Sequence, residues 1–227
     1  MTLDVRDAIL QRLRAAAPDH AVAAPDVRGF YADQRARSPV ESRAQRSARF
    51  CAQMAFWHGE VVRVTPDNWA ATLRAQCLAK GVKTLLYGPR SRHAAALEGA
   101  AIDGLTPYER PIDEWKPELF RDIDAGFTST RGAIAETGTL IVWPDASEPR
   151  LLSLVPPIHF ALLDSDTLYP TLFDALVEQG WSAPMPSNAL LISGPSKTAD
   201  IQITLAYGAH GPKELVVLLL DHSGDAP

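Results

Sequence analysis

The chain has 227 residues, of which 46% are hydrophobic and 22% charged, with a formal net charge of -5. That balance describes a folded globular protein, reads as one large domain behind an N-terminal arm, and excludes wholesale disorder. The net negative charge gives no overall attraction to nucleic acid or an anionic membrane, and no apolar run reaches the roughly 20 residues of a membrane span. The N-terminus lacks the apolar core of a leader peptide, so a cytoplasmic location is expected. Two cysteines, Cys51 and Cys77, are too few for a four-thiolate iron–sulfur cluster and show no zinc-ligand spacing. They are expected to be buried and reduced.

In chain order, Leu3, Ile9, Leu10 and Leu13 predict a short amphipathic helix that Pro18 ends. Residues 18–39 read as an irregular arm. Residues 40–58 predict a helix, with Phe50, Met54 and Trp57 on one face and Gly59 as its stop. Arg35, Arg37, Arg43, Arg46 and Arg49 are opposed in that window only by Glu41, which reads as a solvated face or a partner-docking surface.

An alternation follows. "EVVRV" reads as a strand, Thr65 as the cap of a helix with Pro66 at its first position, Gly81 as its end, and "VKTLLYG" as the next strand. A short helix near residues 92–97, a Pro-rich acidic stretch, the strand "IHFALLD", a helix over 167–180, the strand "ALLISG", a helix through "TADIQITLA" and the strand "ELVVLLLD" complete the pattern. Strands that are apolar throughout and separated by helices predict an α/β fold with a mainly parallel sheet covered by helices on both faces. In such sheets the working crevice lies at the carboxyl ends of strands.

Three stretches carry chemistry. In "SGPSKTADI", Ser193, Gly194 and Pro195 end a strand, and Ser196, Lys197 and Thr198 would offer hydroxyls, an ammonium and free N–H groups at a helix start, which suits a small carboxylate or phosphate. Asp200 follows in the first turn; alternatively Ser196 or Thr198 only caps the helix. In "AETGTL", Glu136 stands beside Thr137, Gly138 and Thr139, either as a base or nucleophile or as a turn-fixing partner of Arg131. In "YGAHGP", His210 next to Gly211 is a proton carrier or a structural hydrogen bonder. No Walker or dinucleotide glycine motif is present, and the remaining histidines show no ligand spacing, so no metal is expected. His159, which opens an apolar strand, reads as a half-buried structural histidine.

Taken together, "AIAETGTL", "ISGPSKTADI" and "GAHGPKEL" resemble the lactate-utilisation protein C family, the LUD domain, over about residues 50–221. The resemblance divides the chain into a helical arm, 1–49, and an α/β domain, 50–227. It implies a fold similar to sugar-phosphate isomerases, CoA transferases and formyltetrahydrofolate cycloligase, and a role in oxidising L-lactate to pyruvate beside partner proteins that carry iron–sulfur clusters. Glu136, Asp200 and His210 would then handle protons, while Thr137, Gly138, Thr139, the residues from Ser193 to Thr198 and Gly211 would hold substrate. Gln202 stands where an acidic residue is common in the family. A stand-alone enzyme acting on a phosphorylated or CoA-linked substrate, with Glu136 as base or nucleophile, and a non-catalytic metabolite-binding or assembly module are the alternatives.

Overall fold

The structure, a computed structural model, describes residues 4–17, 23–37, 40–183, 185–199, 205–207 and 210–222. The chain divides into two compact units, Met1–Val40 and Glu41–Pro227. The first holds α1 (Val5–Ala16) and α2 (Val27–Arg37), neither of which buries a residue. Helix α2 replaces the irregular arm expected there. Asp26 Oδ1 accepts from Gly29 N at 2.8 Å, an N-terminal cap that can be read in the sequence although the segment has no apolar stripe.

The second unit opens with α3 (Arg43–Phe56), capped by a reciprocal Ser42–Gln45 box. It ends with His58 at φ 65°, and Gly59 N donates to Met54 O while His58 N donates to Ala55 O. That is a Schellman closure with histidine in the left-handed position usually taken by glycine. Strand β1 (Glu60–Val64) leads into α4 (Trp69–Ala79). Thr65 does not cap α4. Asn68 takes that place and its side chain folds back to accept from Thr65 N at 2.8 Å, so a turn intervenes.

Then come β2 (Leu85–Tyr87), α5 (Ala94–Gly99), β3 (Leu105–Pro107), α6 (Ile112–Arg121), β4 (Ala125–Ser129), β5 (Gly132–Ile134), β6 (Thr139–Val142), α7 (Leu151–Leu154) and β7 (Ile158–Asp164). The expected helix over 167–180 is a 3-10 turn, Ser165–Thr167, then β8 (Leu168–Tyr169) and a shorter α8 (Leu172–Glu178), because Thr171 and Asp174 form a capping box that starts the helix late. The chain closes with β9 (Leu190–Ile192), β10 (Lys197–Ala199), β11 (Leu205–Tyr207) and β12 (Glu214–Leu220).

Six strands form a parallel sheet in the order β1-β12-β7-β4-β2-β3. Alternate residues of β7 and β12 enter different cores, as the two-residue period of a strand demands. Phe160, Leu162, Val216 and Leu218 pack with Trp69, Leu73 and Leu97 of α4 and α5. Ala161, Leu163, Val217 and Leu219 pack with Phe50 and Met54 of α3. The second face also carries α6 and α7, whose Trp115, Leu119 and Leu152 cover Leu86. A four-stranded sheet, β8-β5-β6-β9, shares the α3 core through Ala133, Leu140, Val142 and Leu168.

Two expectations change here. Strand β9 pairs antiparallel with β6 in this smaller sheet, so the 190–212 segment does not leave the end of a parallel strand. In place of the helix expected over 198–206, the described residues 197–199 and 205–207 pair as antiparallel strands, with Lys197 opposite Tyr207. Thr198 and Tyr207, β-branched and aromatic, suit the extended backbone of this pair.

Candidate functional site at three motif turns

The β5–β6 connection places Glu136 and Thr137 at the surface and buries Gly138 and Thr139. Gly138 has φ 65°, and a Cβ there would lie 2.7 Å from Gln53 Cβ and 2.8 Å from Met54 N. Only glycine allows the turn to lie so close to α3. Gly194 plays the matching role after β9, where a Cβ would lie 2.7 Å from Trp57 O. The last turn of α3 therefore sits against both motif turns.

Hydroxyls join those turns. Thr137 Oγ1 and Thr139 Oγ1 are 2.6 Å apart, and Thr139 Oγ1 and Ser193 Oγ 2.7 Å apart. The third turn attaches through the backbone, where Ser196 N donates to Pro212 O at 2.8 Å and Gly211 packs against the Ser196 side chain. The Ser196 N–H is thus occupied, and with β10 extended there is no helix start at Lys197. The expected helix-dipole contribution to anion binding is accordingly removed at this turn.

Lys197 brings its charge in another way. Its Nζ lies 4.4 Å from the centre of the Trp57 ring, and no carboxylate among the described residues pairs with it. A cation on an aromatic face keeps its N–H donors available to an anion. Trp57, Glu136, Thr137, Thr139 and Ser193 line a cavity of about 460 Å³. Ser193, Gly194, Ser196, His210 and Gly211, together with His159, line a second of about 180 Å³. Leu191 and Ser193 belong to the walls of both.

Glu136 and His210 accordingly stand in neighbouring cavities on either side of a common wall. Glu136 does not pair with Arg131, whose guanidinium lies 4.3 Å from the Trp143 ring centre. The side chain of Pro195 stays at the bend after β9 and lines neither cavity. Thr198 contributes backbone to β10, and Asp200 and Gln202 lie outside the described residues.

His159 is buried rather than half-buried, at 1% exposure. Its Nε2 is 2.8 Å from Thr128 Oγ1, its Nδ1 has no partner among the described residues, and burial lowers its pKa to about 4. Sequence reasoning missed Gln53, Trp57 and His159 as site residues. Trp57 was legible as part of the α3 apolar stripe, but a stripe does not tell a core residue from a ring that is 36% exposed beside a lysine.

The arginine helix is partly built in. Arg46 donates to Leu168 O at 2.9 Å and Arg49 bridges Glu41 and Pro170 O, which ties α3 to β8 and the turn before α8. Cys51 is half-buried and Cys77 buried, both as free thiols whose pKa burial raises. Among the described residues no helix is long and apolar enough to cross a membrane.

Residues 47–220 match the model of the LUD domain family. An uncharacterized protein from Neisseria meningitidis serogroup B is 44% identical over 196 residues, covering 82% of each chain. Lactate utilization protein C from Macrococcus caseolyticus is 31% identical over 176 residues, covering 74% of this chain and 75% of the relative. Lactate utilization protein C 1 from Bacillus mycoides is 26% identical over 173 residues. A crystal structure of a DUF162 family protein from Deinococcus radiodurans superposes with TM-score 0.56 at 21% identity, covering 81% of this chain and all of the other, and supports the fold.

Proposed function

The chain belongs to the LUD domain family, and we propose that it serves lactate utilization as a subunit that holds a small carboxylate, L-lactate or pyruvate, where its three motif turns meet. The observation that carries this reading is the continuous hydroxyl chain Thr137–Thr139–Ser193 in a cavity walled by Trp57, whose ring carries the Lys197 ammonium at 4.4 Å, unpaired with any carboxylate among the described residues. A carboxylate matches it: Lys197 supplies the charge, and the hydroxyls supply donors that fix orientation. His210, Glu136 and Asp200 are the candidate carriers of the proton that leaves the substrate hydroxyl.

Conversion of L-lactate to pyruvate releases two electrons and two protons. The thiols of this chain are too few for a four-cysteine cluster, so in this proposal the electrons pass to partner proteins that carry iron–sulfur clusters, in the cytoplasm. The relatives' name, lactate utilization protein C, supports the process assigned.

The test is L-lactate-dependent acceptor reduction by the reconstituted partners with no added chain, with the natural chain, and with Lys197→Ala. Activity that requires the chain and drops with the substitution is expected. Equal activity without the chain would remove the subunit role.

A further inference from the structure

A cavity of about 810 Å³ lies apart from the motif turns, at the carboxyl ends of the parallel strands. Ser129 and Thr130 line it at the end of β4, Asp164 at the end of β7, and Ser91 and Arg92 in the loop after β2. Strands β2 and β4 are neighbours, yet β2 connects toward β3 on one side and β4 toward β7 on the other. Oppositely directed connections leave a crevice between the departing loops, and such crevices are where open α/β sheets take ligands. The volume is ordinary for a small-molecule site.

The wall holds several buried polar atoms without partners among the described residues. Ser91 Oγ, Trp143 Nε1 and Glu148 Oε1 all belong to residues lining it, and none has a hydrogen-bond partner among the described residues. An orphaned buried polar atom costs free energy, so three at one cavity point to a group that would satisfy them.

Glu148 is 9% exposed. Its Oε2 accepts from Ser129 N at 3.0 Å and Ser129 Oγ at 2.7 Å, which fixes the carboxyl and leaves Oε1 over. The loop carrying it is set against Gly88, where a Cβ would lie 1.9 Å from Ser147 O. Burial raises the Glu148 pKa, while Ser129 and Arg92 lower it and Asp145 adds to the rise, so the carboxyl is suited to sharing a proton with a hydroxyl.

Two arginines supply the positive charge. Arg131 lies face-on to Trp143 at 4.3 Å, leaving its N–H edge, and Arg92 donates through Nε to His93 Nε2 at 2.9 Å, leaving its terminal nitrogens. No carboxylate among the described residues pairs with either. The other carboxylates at the wall are engaged: Asp145 accepts from Ser147 N, Ser147 Oγ and Glu148 N, and Asp164 binds Asp166 N and His222.

We propose that this crevice is a second ligand site, for a polyhydroxylated metabolite, larger than lactate and carrying several hydroxyls, that bears a phosphate or carboxylate group. Arg92 and Arg131 take the anion, and Glu148 Oε1 and Ser91 Oγ take a ligand hydroxyl. Glu136, Lys197 and His210 line no part of it, so it stands independently of the lactate reading.

Calorimetry on the full chain with glucose 6-phosphate, gluconate and glucose tests it. One of the two anions should bind saturably and glucose at least about tenfold more weakly, with the better anion telling phosphate from carboxylate. Arg92→Ala/Arg131→Ala should weaken that anion by about tenfold or more, whereas Lys197→Ala should leave it within about twofold. Arg131→Lys, which keeps charge and bulk but loses the fork, gives the same direction if the double variant does not fold. Glu148→Gln should weaken glucose 6-phosphate or gluconate more than inorganic phosphate. No saturable binding of either anion, binding indifferent to the arginines, or binding lost with Lys197→Ala would overturn the site.

Discussion

The motif turns and the carboxyl-end crevice are built on opposite plans. At the turns the hydroxyls of Thr137, Thr139 and Ser193 bond one another, and glycines at 138 and 194 let the chain lie against α3. At the crevice a parallel sheet ends, and Ser91, Trp143 and Glu148 keep buried polar atoms without partners among the described residues. The first region satisfies its hydroxyls internally, and the second holds polar atoms that find no partner among the described residues. A short motif advertises the first, whereas the second arises from topology, because its residues come from loops after β2, β4 and β6.

The largest effect expected from breaking this contrast is at the turns. Gly138→Val forces a branched side chain into positive φ and against Met54 N, and should cost about 3 kcal/mol or more in urea unfolding. A loss below about 1 kcal/mol would mean that the turn does not rest on α3.

His159 links the regions, since it lines a motif cavity and bonds Thr128, the neighbour of Ser129. Its folded pKa of about 4 lies below the ordinary 6.5. Between those values the unfolded chain takes up a proton that the folded chain refuses. The stabilisation is therefore complete above pH 6.5 and lost as pH falls to about 4, a swing on the order of 3 kcal/mol. His93, also lowered to about 4 by burial and Arg92, acts in the same direction, and the raised carboxyl of Glu148 opposes both. Urea midpoints at pH 7 and pH 4.5 should differ less in His159→Gln than in the natural chain; an equal fall would place the acid sensitivity elsewhere.

The smallest effect sharpens the account of the hydroxyl chain. Ser193→Ala deletes one bond and leaves Thr139 paired with Thr137, so about 1 kcal/mol is expected from thermal unfolding. A cost well above that would show that Ser193 carries more than a hydrogen bond.

Much of the fold was legible, because a buried parallel strand such as "IHFALLD" or "ELVVLLLD" is apolar over most of its length and coincides with β7 and β12. The smaller sheet was not, since three-residue strands such as β5 and β9 are too short to show a period. Residues 198–206 misled because apolar spacing suggested a helix, whereas the described residues at either end form the extended pair β10 and β11. At the site, the triad of motifs pointed to Thr139, Ser193 and His210. It could not reveal Trp57 under Lys197, or Arg92 and Glu148 across the crevice, because neither pairing is local in sequence.

The most direct measurement is calorimetric binding of L-lactate and pyruvate to the natural chain, to Lys197→Ala and to Arg92→Ala/Arg131→Ala. Saturable binding that weakens about tenfold or more only in Lys197→Ala is the expected result, and binding that ignores Lys197 would contradict the assignment of the motif turns as the carboxylate site.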